Sequence, residues 1–339
     1  MEDRPRMLVF VGDVGYYRFT PDGVFANRLR ELGDLTVATA ESENLSQLLR
    51  DHDVLISHHA TPFAALEPIL PEVAGDPGRL RYIACTHGGP SQYALLLDAG
   101  ITITNWGDTP GQGLAMLSLT LLLALLRDLP SQVDNVRADG WSLLNSGRER
   151  VYGGDARGLR VGVYGMGAGG RAFVPMAQAL GMELAAFDPY AEPWPEQVAR
   201  TATLAELVED RHALVVLAAL TDETRGTVTA DLLARLPDGG IVVNVARGAI
   251  MDQDALFAEL TSGRLRAGLD VLEPDYLPPS HPVRQLPNCI LTCHVGPENR
   301  LNSAPLGRNE EYCLDNLRRF AVGEPLRWVV DRRKLSRMT

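Results

Sequence analysis

Short apolar runs alternate along the chain with segments in which apolar residues recur at helical spacing. The runs Met7–Val11 and Tyr82–Ala84 are apolar on both strand faces, whereas Val24–Leu32 has the period of an amphipathic helix. Strands that are apolar on both faces are typical of parallel sheets covered by helices on both sides. The pattern therefore predicts an α/β protein built on parallel sheets.

Two series of this kind lie on either side of one long apolar helix, predicted from about Gly113 to Leu129. The second series begins with a strand over Leu159–Tyr164 and ends with a strand over Ile290–Cys293. An amphipathic segment from Ser303 to Val322 predicts a final helix. We therefore expect two doubly wound parallel-sheet domains with a cleft between them.

The composition narrows the class of protein. The 339 residues suffice for about two domains, and 32 Lys and Arg against 43 Asp and Glu give a net charge of −11, which disfavours binding to nucleic acid or to an anionic membrane. Four cysteines without a Cys-x-x-Cys pair argue against a zinc ribbon and a disulfide scaffold, so we expect a cytoplasmic protein with reduced thiols and no metal site. The apolar stretch Leu114–Leu126 is too short to span a bilayer and is predicted to be a buried helix.

The residues after the strand Val161–Tyr164 have the glycine pattern of a dinucleotide-binding turn. Gly165, Gly167 and Gly170 follow the strand directly and open a predicted helix. At this spacing the first glycine permits a tight turn, the second lets the backbone approach a pyrophosphate, and the third lets the helix pack on the strand. The helix N-terminus then offers N–H groups and a positive dipole end to phosphates. A glycine-rich structural turn would give the same pattern, so the motif needs support from its surroundings.

A second strand, Ala185–Phe187, gives that support because it ends in Asp188 at a suitable distance. A carboxylate at this position accepts hydrogen bonds from the ribose hydroxyls and repels a 2′-phosphate. No Arg follows Asp188 directly. We therefore expect NAD rather than NADP as the cofactor.

Three later segments end predicted strands with side chains suited to catalysis. Arg247 and His294 each follow a buried strand, and the run Gly268 to Asp275 ends in three carboxylates. An Arg can hold a carboxylate in two parallel bonds, an imidazole can exchange a proton, and a carboxylate can orient the imidazole. Each segment alone also fits a structural role: a capping Arg, an acidic surface loop, a structural His. Together, beside a nicotinamide, they indicate hydride transfer to a 2-oxo acid.

Taken as a set, these motifs resemble the D-isomer-specific 2-hydroxyacid dehydrogenases. The resemblance runs from Leu80 to Pro325 and is carried by the glycine turn with Asp188, by Asn244–Ala249, by Gly268–Val271 and by Leu291–His294. It implies a flavodoxin-like substrate domain of residues 1–106 plus 299–339, and a Rossmann NAD-binding domain of residues 107–298. It also implies a homodimer.

The resemblance further implies roles for individual residues. Arg247 would orient the substrate, His294 would act as acid and base, and Asp275 would hold His294, at a position where the family usually has Glu. Glu273 is the competing carboxylate. The backbone of Gly88 and Gly89 would bind the substrate carboxylate. The residues implied in cofactor binding are Gly165, Met166, Gly167, Ala168, Gly169, Gly170, Asp188, Pro189, Leu220, Thr224, Val245, Ala246, Arg247, Asp270 and His294.

The function predicted in this way is an NAD-dependent oxidoreductase that interconverts an (R)-2-hydroxy acid and the corresponding 2-oxo acid. The alternative is a non-catalytic NAD-sensing dimer that resembles the corepressor-like relatives of the family. Arg247 and His294 are both present and argue against this alternative.

Overall fold

The computed structural model describes residues 4–12, 19–58, 61, 63–86, 90–138, 154–296 and 306–335. The chain forms two compact units, one of Met1–Thr109 with Asn299–Thr339 and one of Pro110–Glu298. Each unit is built on its own sheet, and all the strand pairs within these sheets are parallel. The α/β prediction is therefore confirmed.

Strands and helices alternate along most of the chain, as the sequence predicts. The strands are β1 (Arg6–Val11), β2 (Asp34–Thr39), β3 (Val54–Ser57), β4 (Tyr82–Cys85), β5 (Thr102–Thr104), β6 (Arg160–Tyr164), β7 (Glu183–Phe187), β8 (Ala199–Arg200), β9 (Ala213–Val216), β10 (Ile241–Asn244), β11 (Arg266–Leu269) and β12 (Cys289–Leu291). The helices are α1 (Val24–Leu32), α2 (Leu45–Arg50), α3 (Phe63–Leu66), α4 (Leu70–Gly75), α5 (Ala94–Asp98), α6 (Thr109–Leu126), α7 (Leu129–Arg137), α8 (Ala168–Ala179), α9 (Leu204–Val208), α10 (Ala230–Ala234), α11 (Gln253–Thr261), α12 (Arg308–Ala321) and α13 (Arg332–Leu335).

The first unit has the strand order β2-β1-β3-β4-β5, which is the flavodoxin-like order. Alternate residues of β1 enter two different cores. Met7 and Val9 pack with residues of α1 and α12, whereas Leu8 and Phe10 pack with residues of α2 and α4 on the other face. Helix α12, which the sequence predicts from Ser303 to Val322, therefore completes the core of the first unit, because Leu317 lies fully buried among these side chains.

The second unit has the strand order β12-β11-β10-β9-β6-β7-β8, a Rossmann sheet extended by one strand. The order reverses at β6, whose last residue Tyr164 pairs with Phe187 of β7 on one side and with Val216 of β9 on the other. Ligands of open α/β sheets bind outside the carboxyl ends of the strands at such a reversal. The glycine turn that follows Tyr164 lies at this point.

Helix α6 begins four residues earlier than predicted and ends three residues earlier, because Asp128 takes a left-handed φ of 50° and α7 follows directly. Leu121, Leu122 and Leu125 are buried against the second sheet. By length and composition α6 is the one helix among the described residues that could cross a membrane, and 56% of it is buried in the protein. Its apolar character thus fits the core helix of a soluble protein.

Candidate functional site

The three glycines of the turn after β6 meet three different constraints. Gly165 has a φ of +98°, and a Cβ there would lie 2.5 Å from the backbone of Ala218. A Cβ on Gly170 would lie 2.2 Å from the carbonyl oxygen of Gly165, so the third glycine allows α8 to pack against the turn. A Cβ on Gly167 would meet no protein atom within 4 Å. Packing explains the first and third glycines, and it leaves the second for the approach of a ligand.

The N-terminus of α8 fits the pyrophosphate of a dinucleotide. Gly167 is the N-cap residue, and no side chain caps the first turn. The first N–H groups of a helix have no partner within the helix, and they carry the positive end of its dipole. Gly165, Met166, Gly167, Ala168, Gly169 and Gly170 are therefore placed as a phosphate cradle requires.

Asp188 follows β7 and is fixed by backbone donors. One carboxylate oxygen accepts a hydrogen bond from Met166 N–H at 2.8 Å, and the other accepts from Tyr190 N–H at 2.8 Å and Ala191 N–H at 3.0 Å. The carboxylate is thereby tied to the glycine turn, and one lone-pair direction stays open for a ribose hydroxyl. The residues present fit a nicotinamide dinucleotide without a 2′-phosphate.

Arg247 follows β10, and a buried amide shapes its loop. Asn244 is fully buried, accepts from Ala246 N–H at 3.0 Å and donates its amide to the carbonyl oxygen of Arg247 at 2.9 Å. Burial lowers the pKa of the Arg247 guanidinium, and the charge of Asp275 partly opposes that shift. A largely desolvated guanidinium is a strong binding group for an anion.

His294 follows β12 with a φ of +57°, a left-handed conformation that is unusual for a residue with a side chain. Asp270, only 1% exposed, holds this turn from the end of β11. Its carboxylate accepts from the Thr292 hydroxyl at 2.5 Å, from Val295 N–H at 2.9 Å and from Gly296 N–H at 2.7 Å, and its carbonyl oxygen accepts from His294 N–H at 2.8 Å. The imidazole therefore projects from a turn that is fixed by four hydrogen bonds.

The carboxylate that faces the imidazole is Asp275. Its Oδ2 lies 2.5 Å from Nδ1 of His294, and its Oδ1 accepts from Leu272 N–H at 2.9 Å. Glu273, the competing candidate, is held through its backbone N–H and carbonyl oxygen by the side chain of Gln253. The shorter side chain at position 275 therefore reaches the histidine.

Asp275 lies close enough to Arg247 and His294 for their charges to interact. Burial alone would raise the pKa of Asp275, but the hydrogen bonds from His294 and Leu272 and the charges of His294 and Arg247 lower it below the usual value. Asp275 is thus within electrostatic range of both the guanidinium and the imidazole. The strands that carry these residues, β10, β11 and β12, are neighbours in the sheet, so their carboxyl ends lie at one edge.

The remaining predicted residues lie at the same edge or outside the described part of the chain. Val245 and Ala246 are buried beside Arg247. Thr224 uses its hydroxyl within the loop after β9, where it donates to the carbonyl oxygen of Ala219 at 2.6 Å. The exposed Pro189 and the half-buried Leu220 follow β7 and β9. Gly88 and Gly89 lie outside the described residues.

Two positioning residues, Asn244 and Thr292, have roles that the sequence patterns do not assign. Asn244 orders the backbone around Arg247, and Thr292 donates to the carboxylate that holds the turn of His294. A polar residue inside an apolar strand run is the signal that identifies Asn244. Thr292 carries no comparable signal, because threonine is common at strand ends.

Comparison with known proteins agrees with this geometry. Residues 119–296 match the family model for the D-isomer specific 2-hydroxyacid dehydrogenase, NAD binding domain. A D-3-phosphoglycerate dehydrogenase of Methanocaldococcus jannaschii is 30% identical over 279 residues, which cover 79% of this chain and 50% of the relative. A glyoxylate reductase/hydroxypyruvate reductase of Mus musculus is 31% identical over 226 residues, covering 64% of this chain and 67% of the relative. The match thus spans half of the first relative and two thirds of the second.

A solved structure agrees over nearly the whole chain. The TT0316 protein from Thermus thermophilus superposes with a TM-score of 0.75 and 28% identity, covering 96% of this chain and all of that one. The predicted resemblance to this family is confirmed. The matched family domain binds NAD, so NAD is the cofactor of the second unit. Since the relatives are dehydrogenases and reductases, the non-catalytic alternative is not favoured. This chain belongs to the D-isomer-specific 2-hydroxyacid dehydrogenase family, the NAD-dependent oxidoreductases that interconvert 2-hydroxy and 2-oxo acids.

Proposed function

We propose that this chain interconverts an (R)-2-hydroxy acid and its 2-oxo acid, with His294 as acid and base and Arg247 as the group that orients the substrate. The observation that carries the proposal is the 2.5 Å approach of His294 Nδ1 to the Asp275 carboxylate. This pair lies at the carboxyl edge of the sheet that also bears the glycine turn.

The pair gives the two ring nitrogens different tasks. A carboxylate accepts hydrogen bonds only, so Asp275 holds the proton on Nδ1 of His294 and leaves Nε2 to exchange a proton with substrate oxygen. The left-handed turn fixed by Asp270 limits the movement of the ring. Asp275 is therefore a positioning residue, and His294 is the group that moves the proton.

Arg247 supplies the positive charge that a 2-oxo acid requires. Its half-buried guanidinium can bind a carboxylate or carbonyl oxygen, and it stabilises the negative charge that develops on the carbonyl oxygen during reduction. When bound, NAD supplies or accepts the hydride at carbon. Gly165 to Gly170 and Asp188 would hold its pyrophosphate and ribose. The assignment of Gly88 and Gly89 to the substrate carboxylate rests on the sequence resemblance.

We further propose a domain assignment, a cellular compartment and an oligomeric state for this protein. Residues 1–106 plus 299–339 form the substrate domain and 107–298 the NAD domain, and the protein works in the cytoplasm as a homodimer on a small 2-oxo or 2-hydroxy acid. The exposed side chains of Met116, Leu129 and Val136 on α6 and α7 support the dimer, because they offer an apolar surface to a second copy. Light scattering at several concentrations tests this, and a monomer at all of them would contradict it.

Steady-state turnover tests the catalytic proposal. Purified protein is assayed with NADH and NADPH against glyoxylate, hydroxypyruvate, pyruvate and bulkier 2-oxo acids. General acid help contributes roughly 10²–10⁴ in rate, so His294→Gln should lower kcat by about that factor while NADH binding persists. His281→Gln, in the same unit, is the matched control and should keep wild-type turnover. Wild-type turnover in His294→Gln would refute the mechanism, and NADH binding without any turnover would favour the NAD-sensing alternative.

A further inference from the structure

Two side chains from opposite sides of the sheet reversal meet at the cofactor edge. Tyr190 follows β7, Glu223 follows β9, and these two strands flank β6. The Tyr190 hydroxyl donates to Oε2 of Glu223 at 2.5 Å. The bond thus connects the loops on the two sides of the glycine turn, at the adenosine end that Asp188 marks.

The same tyrosine connects Glu223 to Asp188. Its backbone N–H donates to the Asp188 carboxylate at 2.8 Å, and its hydroxyl donates to the Glu223 carboxylate. One tyrosine therefore bridges the two carboxylates, through its backbone N–H at one end and its hydroxyl at the other. Burial raises the pKa of Tyr164, its hydrogen bond to Thr227 lowers it, and the charges of both carboxylates raise it further, so both act at the end of β6.

The arginine that approaches Asp188 is already engaged by other groups. Arg200 of β8 forms an ion pair with Glu192 at 3.0 Å, and its guanidinium carbon lies 4.6 Å from the centre of the Trp194 ring. It meets Asp188 only at the backbone carbonyl, at 3.4 Å. A 2′-phosphate at this end would therefore face two carboxylates and a cation that is held by its own partners.

We propose that Glu223, held in place by Tyr190, is a second determinant of selectivity for NAD over NADP, in addition to Asp188. The inference rests on the proposed function, and it assigns to Glu223 a repulsion of the 2′-phosphate rather than a bond to the cofactor. A phosphate carries nearly two negative charges at pH 7, so one carboxylate within a Debye length of it (~8 Å at physiological salt) changes its affinity by about three- to tenfold.

Cofactor binding tests the inference without turnover. The dissociation constants of NADH and NADPH are measured by fluorescence at low salt for wild type, Glu223→Gln, Tyr190→Phe and Asp222→Asn. Asp222 is an exposed carboxylate in the same loop and provides the matched control. Glu223→Gln should lower the NADPH-to-NADH ratio of dissociation constants by about three- to tenfold, and added salt should shrink the change. Tyr190→Phe should lower the ratio by less, since the charge remains, and Asp222→Asn should lower it least.

Several results would overturn the inference. An unchanged ratio of dissociation constants in Glu223→Gln would show that Glu223 does not repel the 2′-phosphate. If Asp222→Asn lowered the ratio as much as Glu223→Gln, the effect would come from surface charge in general. Equal weakening of both cofactors in Glu223→Gln would make Glu223 a direct ligand of the cofactor. A wild-type protein that binds no NADH would instead refute the NAD assignment on which the proposed function stands, and NADH binding without turnover would refute the catalytic proposal alone.

Discussion

Replacing Asp275 by asparagine exchanges one oxygen for an amide nitrogen and hardly changes the shape of the side chain. In the native protein both carboxylate oxygens accept hydrogen bonds, one from Leu272 N–H at 2.9 Å and one from His294 Nδ1 at 2.5 Å. An asparagine amide has one oxygen and one donor group, so it can accept from only one of these neighbours. The variant must therefore choose between the backbone and the imidazole.

Either choice carries a similar cost. If the amide keeps Leu272, its NH₂ points at Nδ1, the ring proton moves to Nε2, and the doubly protonated acid form of His294 is disfavoured. If it keeps the ring, a backbone N–H faces a second donor, which costs about 1–3 kcal/mol. At about 1.4 kcal/mol for each factor of ten, kcat should fall roughly 10- to 100-fold. Stability should fall by less than this penalty, because the Asp275 side chain is 47% exposed and solvent can replace part of the lost hydrogen bonding.

The assay is reduction of the preferred 2-oxo acid with NADH between pH 5 and pH 9, together with thermal unfolding. Since the pKa of Asp275 is lowered in the folded protein, its contribution to stability is present above the ordinary carboxyl range and is lost only as the pH falls through the lowered value. The pair is therefore intact across the assay range. Glu273→Gln is the control, because the bonds of Glu273 to Gln253 involve its backbone. Wild-type kcat in Asp275→Asn, with a loss in Glu273→Gln, would refute the reasoning.

Two further predictions test the glycine turn and the first unit. Gly167→Ala should leave the Tm of the apoprotein unchanged, because its Cβ meets no protein atom within 4 Å, but should weaken NADH binding at least about tenfold; an unchanged dissociation constant contradicts the cradle. Burial lowers the pKa of His58 to about 4, so the unfolded chain binds its proton first as the pH falls below 6.5. Wild type should therefore lose about 2 kcal/mol of unfolding free energy between pH 7 and pH 5 from this group. Denaturant titrations should show a smaller loss in His58→Gln, and equal losses in both proteins would assign the acid sensitivity elsewhere.

The parts of the site that depend on short spacing could be predicted from the sequence. Gly165, Gly167 and Gly170 must stand at fixed separations, since each meets a constraint within one turn of backbone. The strand ends before Arg247 and His294 could be predicted because each follows a continuous apolar run, although β12 is half-buried at the sheet edge. The long helix was visible for the same reason, although its ends depend on the left-handed Asp128.

The edge strands β2 and β8 and the loop partners could not be predicted in the same way. Strand β2 pairs only with β1 and is half-buried, and β8 has two residues, so neither has the two-sided apolar signal of a central strand. The backbone of Glu273 is held by two hydrogen bonds with the side chain of Gln253, one donated and one accepted by a residue twenty positions earlier in the chain. Such a contact follows from the packing of α11, which local spacing does not encode.

Asp270 and Asp275 divide the support of His294 between backbone and side chain. A residue with a left-handed φ stores about 1–3 kcal/mol of strain, and a hydrogen bond to a charged group contributes about 1.5–3 kcal/mol. The three donors on the buried Asp270 carboxylate therefore outweigh the strain and hold the turn, while the imidazole bonds to Asp275. The half-exposed carboxylate of Asp275 accepts from one donor besides the imidazole. It can therefore adjust its position when the charge of the imidazole changes. Because the backbone of His294 is fixed and the Asp275 carboxylate can adjust, Nε2 of His294 keeps its position whether the imidazole is neutral or protonated. Proton exchange in both directions requires this.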